Sequence, residues 1–136
     1  MNAPSRAERR ALSDALSGAV RGPAAGIQAA LHWSAHTEAL LLRVGAELER
    51  WGPLLPALPF DERERLEREC KHLRGLHRQL SSLRVHHSRQ LLSAAPGSSV
   101  WRDWLGLILD PPDAAPSCER AAQLQALEQR YQRSGP

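Results

Sequence analysis

Residues 24–51 read AAGIQAALHWSAHTEALLLRVGAELERW. At about 100° per residue, Trp33, Leu40, Val44, Leu48 and Trp51 fall on one arc of a helix. Ile27, Leu31, Leu41 and Leu42 widen that arc past half the circumference. An ordinary surface helix carries a narrower apolar stripe, so one this wide has neighbours on two sides. The stretch therefore predicts a central helix over about 24–51, with Trp33 and Trp51 as core anchors, closed by Gly52-Pro53. Its breadth also raises the expectation of a homo-oligomer, because one neighbour could not cover it.

The composition agrees. The 136 residues include 22 Leu, 20 Ala and 17 Arg, against seven Val, Ile and Thr together. Leu, Ala and Arg favour helix, whereas strands favour β-branched and aromatic residues. The length suits one domain, expected over 1–133 with 134–136 frayed. No stretch approaches the roughly 20 apolar residues of a membrane span. The N-terminus has Arg6, Arg9 and Arg10 but no apolar core of a secretory signal, since Ser13, Asp14 and Ser17 interrupt it. The expected location is cytoplasmic. A mitochondrial presequence is the alternative, with Glu8 and Asp14 against it.

Outward from the central helix, Pro53, Pro56 and Pro59 exclude a regular α-helix interior. Leu54-Leu55-Pro56-Ala57-Leu58-Pro59-Phe60 is nonetheless apolar and reads as an extended strap over the core, with an exposed docking peptide as the alternative. A third helix is predicted over about 62–94, with Asp61 and Glu64 as a capping box. Leu66, Leu73 and Leu80 repeat every seven residues, and Leu76 and Leu83 supply the alternate position of a short coiled-coil-like seam. On the other side, Ser5 and Glu8 form a capping box for a first helix over about 6–21. Two short C-terminal helices are predicted at about 99–109 and 118–133, the second capped by Ser117. The expectation is an all-α bundle: three longer helices running up and down, with two short ones packed on it.

Few residues point to chemistry. His32 and His36 have the i, i+4 spacing that can present two imidazoles to one metal. The residues between them, Trp33-Ser34-Ala35, lack the glutamate of an HExxH site, and the pair shares a polar face with Arg43, Glu47 and Arg50. They read as solvated histidines. His72, His77, His86 and His87 accompany Cys70 but scatter around the third helix. Cys70 and Cys118 lie 48 positions apart and read as reduced thiols. No GxSxG, GxxxxGK or GxGxxG motif occurs. No catalytic, cofactor or metal-ligating residue is assigned, and the chain is expected not to be an enzyme.

The net charge of +3 implies no partner by itself. Its distribution is more informative. From Lys71 to Arg89 there are five basic residues and no acidic one. Lys71, Arg74, Arg78 and Arg89 cluster opposite the leucine seam, as an electrostatic landing strip. No aromatic residue lies among them to stack on bases, so nucleic acid is disfavoured. Trp101 and Trp104 sit between Pro/Gly breaks, either as a docking element or as a lid on the bundle. These six residues are the candidate partner contacts. The expected function is a non-enzymatic helical interaction module, an adaptor or subunit that binds a helical protein partner. The alternatives are a small chaperone of the flagellar or type III export kind, holding an amphipathic client helix, and weak nucleic-acid or acidic-partner binding through the basic face.

Overall fold

The computed structural model describes residues 4–24, 26–92, 103 and 116–134. Most of these are helical, with no strand among the described residues. Helix α1 spans Arg6–Ala19, α2 Ile27–Trp51, a 3-10 helix Gly52–Ala57, α3 Phe60–Leu92 and α4 Cys118–Ser134.

The ends of α1 follow from local chemistry. Ser5 Oγ accepts a 3.1 Å hydrogen bond from the Glu8 amide, the expected N-cap. The helix stops at Ala19 because Gly22 turns the chain at φ +83°, with the Arg21 and Gly22 amides donating back to Gly18 and Ala19. Trp33 Nε1 donates to the Ala19 carbonyl at 2.9 Å, so the core tryptophan of α2 satisfies the exposed end of α1. Helix α2 begins three residues later than expected. Gly26, at φ +108° and ψ 159°, takes a backbone conformation open essentially to glycine alone, and so fixes where the helix can start.

Helix α2 is central. It packs against α1, α3 and α4, most extensively against α4. Its wide apolar arc is thereby shared among three neighbours of the same chain, so the arc does not call for a second copy. Leu12, Leu16 and Ala19 of α1 join Trp33, Leu40, Leu41, Val44, Leu48 and Trp51 of α2, and Leu66, Cys70, Leu73 and Leu80 of α3. Each fully buried leucine contributes roughly 1.5–3 kcal/mol.

The contacts fix direction. Leu41 meets His77, and Glu38 meets Arg84, so α3 runs antiparallel to α2. His32 meets Glu128, while Ala39 and Leu42 lie with Cys118 and Ala121, so α4 is also antiparallel to α2. The seven-residue connection of 20–26 makes α1 antiparallel as well. The up-and-down order holds for α1 to α3, but α3 and α4 are parallel to each other.

Several expectations need correction. The proline-rich segment is not an extended strap. Residues 52–57 wind as a 3-10 helix, whose i to i+3 bonds leave room for Pro53 near its start and Pro56 inside it. Leu54, Leu55 and Leu58 are partly buried against the core, as a strap would place them. Helix α3 starts at Phe60, so Asp61 lies in its first turn and is not its N-cap; the Arg63 amide donates to the Pro59 carbonyl. The division into three long helices and two short ones does not hold either. The C-terminal helix has 17 residues against 14 for α1, and four α-helices are described. The Ser117 cap is present, its Oγ accepting from the Arg120 amide at 3.1 Å. The helix expected at 99–109 lies outside the described residues, apart from Asp103.

Candidate functional site

The basic side of α3 is where its sequence puts it. Leu66, Leu73 and Leu80 are buried, while Lys71, Arg74 and Arg78 are exposed on the other side. These three form no ion pair among the described residues. The Arg89 side chain, Trp101 and Trp104 lie outside the described residues, so the structure does not place half of the candidate contacts.

The basic surface continues into the cleft between α1 and α3. Arg6, Arg9, Arg10 and Ser13 line one wall; Glu69, His72 and Leu73 line the other. Arg9 is committed, ion-paired with Glu69 and donating from Nη1 to the Pro4 carbonyl at 2.9 Å. Arg6 and Arg10 remain exposed at the rim. A second groove runs between α2 and α4, lined by Ala35, Ala39, Leu42, Ala121 and Ala122, with Arg43, Cys118 and Gln125 at its edges. The small alanines let the two helix backbones approach closely. Phe60 is the one large apolar side chain that stands out among the described residues, 66% exposed with the Arg63 guanidinium 5.6 Å from its ring centroid.

The feature sequence reasoning missed is a buried charge cluster. Glu38 is fully buried on α2, and Arg84 of α3 donates from Nη1 to both its carboxylate oxygens, at 2.5 and 2.9 Å. Arg120 of α4 is buried beside them and acts on the same carboxylate. Burial pushes the Glu38 carboxyl above its ordinary range; the two guanidiniums pull it back only in part. Burial likewise lowers Arg84 from its usual value, with Glu38 opposing. The cluster joins three helices at one level. A signal existed: Glu38 interrupts the wide apolar arc of α2, and Arg84 falls on the seam of α3.

The histidines divide. His77 is half-buried, its Nε2 3.1 Å from the Leu41 carbonyl, and helps hold α3 to α2. His72 and His86 are exposed. His32 and His36 stand on the exposed side of α2, as expected, and His32 also meets Glu128 of α4. Among the described residues, no group of three or more His, Cys, Asp or Glu side chains converges as a metal cage. Both cysteines are free thiols; burial raises the Cys70 thiol above its ordinary value and keeps it protonated. No described helix is long and apolar enough to cross a membrane.

Comparison of the chain with protein families, with characterised proteins and with solved structures finds no match. A functional reading therefore rests on the residues themselves.

Proposed function

We propose that the chain is a non-enzymatic helical interaction module, an adaptor or subunit that docks an acidic helical partner on the outer face of α3 and the adjoining rim of α1. The observation that carries this reading is the one-signed charge of that face from Lys71 onward, beyond Glu64 and Glu67. Lys71, Arg74 and Arg78 are exposed in a stretch without acidic residues, and none of them is ion-paired among the described residues. Arg6 and Arg10 extend the same sign across the cleft. A patch of this kind speeds and orients the approach of a partner of opposite sign. Arg89, Trp101 and Trp104 join the proposed surface on sequence grounds.

The test compares capture from native lysate by the tagged chain and by a Lys71→Glu/Arg74→Glu/Arg78→Glu variant. A bound protein lost in the variant, and weakened as salt rises from about 0.05 to 0.3 M, supports the reading. An unchanged set of captured proteins overturns it. If the captured species disappears on nuclease treatment instead, the face serves nucleic acid.

A further inference from the structure

His32 and His36 are separated by one turn of α2, and their rings are parallel to within 5° with centroids 6.1 Å apart. Glu128 reaches them from α4, its Oε1 2.7 Å from His32 Nδ1. The carboxylate is 13% exposed and the His32 ring 68% exposed. In a neutral imidazole, a carboxylate at Nδ1 favours the Nδ1–H tautomer, whose Nε2 carries the free lone pair. That is the carboxylate–imidazole arrangement that stands behind histidine ligands in metal sites.

We propose that His32 and His36 form a two-imidazole site for a first-row transition-metal dication, with Glu128 orienting His32 and water completing the coordination shell. Such a site needs no third protein ligand, and i, i+4 is the helical spacing that brings two imidazoles to one ion. Metal–nitrogen bonds of about 2.1 Å would place the ring centroids about 4.5–5 Å apart. The pair must therefore close by roughly 1–1.5 Å and tilt from parallel. Both rings are exposed, so side-chain rotation suffices. The imidazole donors suit nickel, copper or zinc over magnesium or calcium, which prefer oxygen. A bound ion would also tie α2 to α4 through Glu128.

The alternative is an ordinary ion pair between His32 and Glu128, with His36 a bystander. The two separate in a calorimetric titration of the full chain with Ni2+, paired with thermal melts with and without the ion. The site predicts one Ni2+ per chain and a melt shifted upward by it. His32→Ala and His36→Ala each abolish both effects, and Glu128→Gln weakens binding about 10–100-fold. His36 is exposed, so His36→Ala keeps the fold, and its circular dichroism should match the parent. No Ni2+ binding to the parent, or binding that survives in a His32→Ala/His36→Ala chain, overturns the proposal.

Discussion

Glu38 shows what a single buried charge does here. Two ions taken from water lose several kcal/mol of hydration each, and their attraction returns that only with good geometry. The raised Glu38 and lowered Arg84 say that the return is incomplete. The cluster is thus better understood as a device for alignment than as a source of stability. Glu38→Leu would remove the carboxylate that Arg84 binds and Arg120 acts on, at a cost of about 3–5 kcal/mol. Glu38→Leu/Arg84→Met/Arg120→Met should recover most of that loss, as read by urea unfolding. A triple variant no more stable than the single would show that the cluster stabilises outright. The pH dependence has a definite sign. A carboxyl whose pKa is higher folded than unfolded binds its proton more tightly in the folded state. Its contribution to stability therefore grows as pH falls from the raised value toward the ordinary 4.5. Measured against Glu38→Gln, the parent should gain relative stability between neutral pH and that value. The opposite slope would mean that the guanidiniums, not burial, dominate.

At the scale of the element, α3 packs through a seam other than its most hydrophobic one. The buried positions are Leu66, Cys70, Leu73, Leu80 and Arg84, and with half-buried His77 they follow alternating steps of four and three. Leu76 and Leu83, the expected alternates, lie on its flank and are only partly buried. Leu80→Ala should therefore cost about 2–5 kcal/mol, while Leu83→Ala should cost about half as much or less. Equal losses in thermal or urea unfolding would restore the expected register. The leucine heptad was readable because Leu66, Leu73 and Leu80 occupy it in either register. The alternate position was legible only in part, because Leu76 and Leu83 do pack against the core while Cys70, His77 and Arg84 share that side of the helix. Cys70 fills space there, His77 reaches a backbone carbonyl and Arg84 reaches Glu38. Each takes a partner that a single helix cannot reveal. The basic face was readable for the converse reason: exposed residues owe nothing to a neighbour's geometry. The proline segment failed on a narrower point, since a ban on α-helix interior is not a ban on 3-10 turns.

For the whole molecule, the organising fact is that α1, α3 and α4 all run antiparallel to α2. Arg84 meets Glu38 and Arg120 is buried near the same carboxylate, so Leu92 stands roughly 15 Å farther along the axis than Cys118 at about 1.5 Å rise per residue. Asp103 already lies against α4, its carboxylate accepting from Arg130 Nη2 at 2.7 Å. The architecture therefore makes α4 the last wall of the core and not an appendage. It supplies the most extensive interface of α2, buries Leu124 and Leu127, and closes the third side of the Glu38 cluster. A chain ending at Pro116 would open all of this to water at once. It should keep much of its far-ultraviolet helical signal, because α1 to α3 are long and locally satisfied. It should also lose the cooperative thermal transition and bind a hydrophobic dye, as loosely packed helical states do. If the shortened chain instead melts cooperatively within about 5 °C of the full one, a shift worth only about 1 kcal/mol at this size, the core ends at α3. In that event α4 would be an element laid on a finished three-helix unit, and the electrostatic pull of Arg120 on Glu38 would add nothing to it.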